Sequence, residues 1–337
     1  MSSEPYRTPC SGIDRRRRGI HFPGGGFIPG GTLVFLLGAL LAGAAPAGES
    51  LRIRVGLSRA PSALPVLRLI DSGALAGTAE LAADLWTGPE QLIALAQAGE
   101  HQLFSLPLTV AARLRARGVD IKLTNVNTWG GIALVTANPG IGGWADLRGR
   151  IVHAPGSASP PAALLRHFLG LAGLRPGIDI EIVTAGAAEM AQLLRAGRIE
   201  TAVLLEPQTT AALSGSPGLR RVLDFETEWR RREAGGLPSL GFGGPAAFLD
   251  ANPEFVRRFE EEFARALAWI LEHPAEAGKL AAGHLGLEAR IVEEALPRLG
   301  LGYRRAAEAA GEVTAYLRLV APGPEGNPVP DEAFYWR

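Results

Sequence analysis

Gly156-Ser157-Ala158-Ser159 lies between the apolar run Ile151-Val152-His153-Ala154 and Pro160-Pro161, where a helical pattern begins. These residue types suit the capture of an anion. A helix start carries unpaired backbone N–H groups and about half a positive charge. Residues without bulk let an anionic group reach those N–H groups, and serine hydroxyls add donors. Gly156, Ser157 and Ser159 are therefore candidate contacts for an anionic group. Ordinary strand-to-helix connectors have the same composition, so the stretch must be weighed with others like it. Residues at or near the carboxyl ends of the other candidate strands are Ser58, Arg59, Trp86, Thr87, Ser105, Asn127, Trp129 and Glu206. Pro107, behind Ser105, opens a second helix mouth. Trp86 and Trp129 either wall an apolar part of a ligand or belong to a core or rim. Glu206 either reaches a ligand, caps a helix or pairs with a nearby arginine.

Catalytic patterns are missing. There is no G-x-S-x-G elbow, no H-E-x-x-H and no lysine after a phosphate-binding glycine run. His101, His153, His167, His273 and His284 lack metal-ligand spacing. No catalytic residue, metal or cofactor is expected. Lys+Arg and Asp+Glu are both 34, so nothing points to nucleic acid.

The amino terminus reads as a targeting segment. Arg15 to Arg18 form a basic cluster, Leu33 to Ala45 is an apolar run, and Ala45-Pro46-Ala47 fits a small-x-small cleavage site. Thirteen helical residues span about 20 Å, short of the roughly 30 Å hydrocarbon core. A cleaved export signal over residues 1–47 is expected, and Arg17-Arg18 leaves the twin-arginine route open. Gly24 to Gly31 superficially resembles a phosphate loop but precedes the apolar run. Cleavage would leave 290 of the 337 residues and remove Cys10, the single cysteine. A cysteine-free chain excludes disulfides and thiol nucleophiles.

From Leu51 onward strands and helices alternate. Strands are expected at Leu51–Leu57, Ala79–Trp86, His101–Leu106, Asp120–Val126, Ile132–Ala137, Gly149–Ala154, Ile178–Thr184, Thr201–Leu205 and Arg220–Phe225. The charged stretch Trp229 to Glu233 reads as solvated surface. Leu237 to Phe248 reads as a returning segment, whose Gly241, Gly243 and Gly244 suit a hinge or a strand beside a ligand. Phe255, Phe259, Phe263, Leu267 and Leu271 recur every four residues, one buried helix face. Repeated βα units imply a mainly parallel sheet with helices on both faces, which binds ligands at the strands' carboxyl ends.

Three segments carry a family resemblance: residues 154–183, AEMAQLLRAGRIETAVLLEPQTTAAL (188–213) and FLDANPEFVRRFEEEFARALAWILEHPAEA (248–277). Together they resemble the periplasmic substrate-binding proteins of ABC importers for sulfonates, taurine, nitrate and thiamine-pyrimidine precursors. The resemblance implies an α/β, two-lobed type II periplasmic-binding fold with two hinge crossings. It puts the crossings near Gly130 to Thr136 and Leu237 to Gly244. One lobe is then 48–130 plus 241–337, the other 131–240. It further implies a periplasmic, monomeric, non-enzymatic protein that captures a small anion or heterocycle and hands it to an ABC permease and ATPase. Two alternatives remain at this stage. One is an enzyme of thiamine-pyrimidine synthesis on the same fold, which in that family uses a cysteine-rich motif this chain lacks. The other is a ligand receptor for a membrane sensor.

Overall fold

β1 (Leu51–Ser58) alternates buried and open side chains as far as Val55 and is buried throughout from there. α1 (Leu64–Ser72) follows and ends at Gly73, which takes the left-handed φ of 63° that suits glycine. β2 (Ala79–Trp86), α2 (Pro89–Ala98), β3 (Leu103–Pro107), α3 (Leu108–Ala116) and β4 (Ile121–Trp129) complete the first strand–helix series. A second series comprises β5 (Ile132–Thr136), β6 (Ile151–Ala154), α4 (Pro160–Leu171), β7 (Glu181–Thr184), α5 (Ala187–Arg195), β8 (Thr201–Leu205), α6 (Gln208–Leu213), β9 (Arg220–Asp224) and α7 (Phe225–Arg230). The chain returns through β10 (Pro238–Pro245) and α8 (Ala246–Ala251). It ends with α9 (Pro253–Glu272), α10 (Pro274–Leu285), α11 (Ala289–Ala295), β11 (Leu301–Arg305) and α12 (Ala310–Val320). This computed structural model describes residues 50–321 and 330–337. The expected export signal, its glycine run and Cys10 lie outside the described residues. Among the described residues no helix is long and apolar enough to cross a membrane.

Two sheets form. The first runs β11-β4-β10-β3-β1-β2 and the second β7-β6-β8-β5-β9. Strands joined by helical crossovers run parallel, as β1 does with β2 and β3, and β6 with β7 and β8. The strand that arrives from the other series runs antiparallel in each: β10 against β3 and β4, β5 against β8 and β9. From β2 to β4 and from β7 to β9 the order is the same. The expected mainly parallel sheet is thus two mixed sheets of one design, with β11 added to the first.

Three apolar clusters fill the layers. One lies under α1, α9 and α10, another under α5 and α6. The third joins the two sheets, from Leu106 and Val126 through Tyr316 and Leu317 of α12 to Phe168 and Val203.

Three readings change at this level. Trp229 is fully buried, and the buried Glu228 accepts the indole N–H of Trp144 at 2.7 Å while pairing with Arg231 and Arg232. The surrounding charges hid a core residue. Leu271 is exposed although Phe255 to Leu267 are buried. Each four-residue step turns about 40° too far, so after four steps the stripe has drifted by about 160° and Ile270 takes over inside. β4 continues through Trp129, past the predicted end, because β10 and β11 pair with it on both sides. The β10 glycines, which suit a hinge or a strand by sequence, do lie in a strand, where they make room for backbone. A β-carbon on Gly241 would lie 2.1 Å from the Asn125 carbonyl oxygen, and one on Gly243 2.2 Å from that of Lys122.

Candidate ligand-binding site

The parallel strands of each sheet bring their carboxyl ends to one edge, and the candidate residues collect at those two edges. Ser58 stands in register beside Trp86. Its hydroxyl lies 2.9 Å from that of Ser62 and accepts from Ser105 at 3.3 Å, so three buried serines form one cluster. Ser62 was missed in the sequence because it lies one turn past the strand end. Arg59 is anchored by its backbone N–H to the Trp86 carbonyl at 2.9 Å and by its Nε to the Leu285 carbonyl at 2.9 Å. Trp86 is buried, and its indole N–H has no protein partner. A buried donor left open at a strand's carboxyl end is a ready ligand contact. Thr87 is exposed and points its N–H and hydroxyl at Gln91.

Asn127 and Trp129 are committed within the protein. Asn127 donates to Asn125 Oδ1 at 3.0 Å and accepts from the Thr128 hydroxyl at 3.0 Å. The Trp129 indole donates to Glu312 Oε2 at 3.2 Å, and the Arg304 guanidinium lies 5.1 Å from the ring centroid. Trp129 thereby ties the end of β4 to α12.

At the other edge, Ser159 caps α4, its hydroxyl accepting from Ala162 N–H at 3.4 Å. Pro160 and Pro161 supply no N–H at all. The open backbone donors here are therefore in the turn and not in the first helical turn: no backbone carbonyl takes the N–H of Ser157 or Ala158 among the described residues. Gly156 and Ser157 are exposed, and a β-carbon on Gly156 would meet nothing within 4 Å. His153, one residue from the end of β6, also has a buried Nδ1 without a protein partner.

Glu206 follows β8, and its peptide to Pro207 is cis. Its side chain is 1% exposed. One oxygen accepts the Thr210 N–H at 3.0 Å and hydroxyl at 2.8 Å, while the other pairs with the Arg221 guanidinium. Both protein roles considered for Glu206, helix cap and arginine partner, are filled together. Arg221 left no sequence signal, since β8 and β9 are joined only through β5.

Two further carboxylates hold the crossings, and neither was legible in the sequence. Glu226 accepts Leu237 N–H at 2.6 Å and pairs with Arg230. Glu312 accepts Gly236 N–H at 2.7 Å and pairs with Arg304 at 2.6 Å. Burial pushes the Glu312 carboxyl up, but the Arg304 guanidinium and the donors from Gly236 and Trp129 outweigh it and hold it below the usual range. Gly130 N–H bonds the Leu237 carbonyl at 2.8 Å, which fastens the two crossings to each other. Arg290 of α11 reaches the Ser214 hydroxyl after α6 at 2.8 Å. Arg59, α10, α11 and α6 thus form a line of contact between the turns after β1 and β8. Among the described residues no group of three or more His, Cys, Asp or Glu is arranged to hold a metal.

Two sheets of this shared strand order, joined by two crossings, define the fold of two-lobed type II periplasmic binding proteins. The periplasmic aliphatic sulphonate-binding protein SsuA of Escherichia coli superposes with a TM-score of 0.72 at 19% identity, over 86% of this chain and 93% of that one. An ABC transporter protein from Parabacteroides distasonis gives 0.71 at 23% identity, over 86% and 99%. The periplasmic nitrate-binding protein NrtA of Synechocystis PCC 6803 gives 0.56 at 15% identity, over 73% and 70%. The NMT1-like family profile matches residues 86–285, and the chain belongs to that family. In sequence it is also similar to the nitrate import ATP-binding protein NrtC of Synechococcus elongatus, 30% identical over 184 residues, which is 50% of this chain but 27% of that protein.

Proposed function

We propose that this chain is the exported solute-binding component of an ABC importer. It captures a small organic anion of sulfonate type, or a heterocycle, between its two sheets and passes it unaltered to a membrane permease driven by an ATPase. The lobes would be 48–130 with 241–337, and 131–240. Residues 1–47 would be the cleaved signal, and the mature protein a periplasmic monomer. The observation that carries this reading is the pair of like-ordered sheets, with small polar residues at both carboxyl edges and two crossings between them. Binding proteins for sulfonate and nitrate on the same fold support the ligand class. Similarity to a nitrate-import ATP-binding protein supports the partner. In this reading Gly156, Ser157 and Ser159 meet the anionic group, and the serine cluster with Trp86 faces it. Native mass spectrometry of the protein isolated from producing cells tests this. A one-to-one complex with a small solute, recovered at unaltered mass after denaturation, is expected. A reproducibly transformed solute would favour an enzyme instead.

A further inference from the structure

We propose that the cavity between α9, β11 and Trp336 is a second solute site, built for a small zwitterion that enters cation first. The cavity measures about 480 Å³, within the range of small-molecule sites. It opens beside Thr124 on β4, five residues and thus about 16 Å before the Trp129 end of that strand. It is therefore separate from the carboxyl-edge turns.

Its base is the Glu260 carboxylate, 6% exposed. Asn125 Nδ2 reaches its two oxygens at 3.1 and 2.9 Å from the protein side. Burial pushes this carboxyl above its usual range, against the pull of Thr124, Asn125, Tyr303 and Arg305. Among the described ion pairs no cation is bonded to it. Arg305 acts on this carboxylate from a distance without an ion pair, and burial still prevails, so an ammonium arriving through the cavity would relieve a costly arrangement.

The mouth has the opposite character. Arg257 lies one turn before Glu260 on the same helix face, is exposed, and has no ion-pair partner among the described residues. Arg305 stands on the facing strand. Of the lining acids, Glu261 is held by Arg265, and Glu308 is exposed at the rim. Trp336 gives an apolar wall for a short linker. A simple anion would meet Glu260 and a simple cation the arginines; a molecule carrying both charges satisfies both ends.

Calorimetric titration of the whole exported chain with glycine, γ-aminobutyrate and ε-aminocaproate tests this, with butyrate and butylamine as single-charge controls. At least one zwitterion should bind, with each control about tenfold weaker or more. E260Q and R257Q should each weaken that binding about tenfold or more, whereas S157D, at the proposed cleft, should leave it unchanged. R257Q alters an exposed residue and keeps the fold; the unfolding midpoint of E260Q is measured alongside. No heat with any zwitterion overturns the proposal. So does binding that S157D abolishes while E260Q and R257Q retain it, which would place the molecule in the cleft.

Discussion

Arg221→Gln isolates what Glu206 does. The Glu206 side chain is 1% exposed and that of Arg221 19%. Removing the guanidinium leaves a buried carboxylate with only the Thr210 N–H and hydroxyl as described partners. Breaking a buried ion pair from one side costs about 3–5 kcal/mol. The two Thr210 bonds survive, so the lower end applies, about 3 kcal/mol. At about 2–4 °C per kcal/mol for a domain of this scale, the unfolding midpoint should fall by roughly 6–12 °C. Glu206→Gln alone should cost less, about 1–2 kcal/mol, because Arg221 is partly solvated and has Asp224 at 3.8 Å. The double variant should recover most of the loss, since no buried charge is then stranded. Circular dichroism through a thermal ramp reads all three. An Arg221→Gln midpoint within about 2 °C of the parent would refute the reasoning. So would a double variant worse than the sum of the singles.

Other expectations follow from single contacts. Gly241→Ala should cost about 3 kcal/mol or more, because its β-carbon meets a β4 carbonyl at 2.1 Å. Gly156→Ala, with open space around it, should stay within about 0.5 kcal/mol; denaturant unfolding compares the pair. Glu312 has a lowered carboxyl in the folded chain, so its contribution is present above the ordinary carboxylate value and is lost as pH falls through the lowered one. Glu312→Gln should therefore lose about 2 kcal/mol near neutrality, and its difference from the parent should shrink in acid; midpoints measured along a pH series read this.

Local signals wrote most of the fold. The apolar alternation at the start of β1, the proline after Asn252 and the glycine at 99 act within a few residues, and each marks an element boundary near where it falls. Which strand lies beside which depends on contacts across tens of residues. Gly241 and Gly243 suit a hinge or a strand by sequence, and only β4 beside them shows that no β-carbon fits there. Trp229 hid among charges because Glu228 is buried with its own arginines. At the candidate site, strand ends were visible and their partners were not. Ser58 and Ser105 were picked out separately, and only the register of β1 and β3 makes them one cluster. Glu312 lies 183 residues from the indole it holds, and no pattern of spacing links them.

Thermal denaturation of residues 48–337 against taurine, alkane and aryl sulfonates, nitrate, bicarbonate and aminopyrimidines tests the central claim most directly. A true ligand at about 100 times its dissociation constant adds about 2.7 kcal/mol. That should raise the midpoint by roughly 5–10 °C. For an anionic ligand the shift should vanish in Ser157→Asp, whose own midpoint should match the parent because residue 157 is exposed. An unmoved midpoint with every compound, or an anion's shift undiminished in Ser157→Asp, would contradict an anion-gripping turn at the mouth of α4.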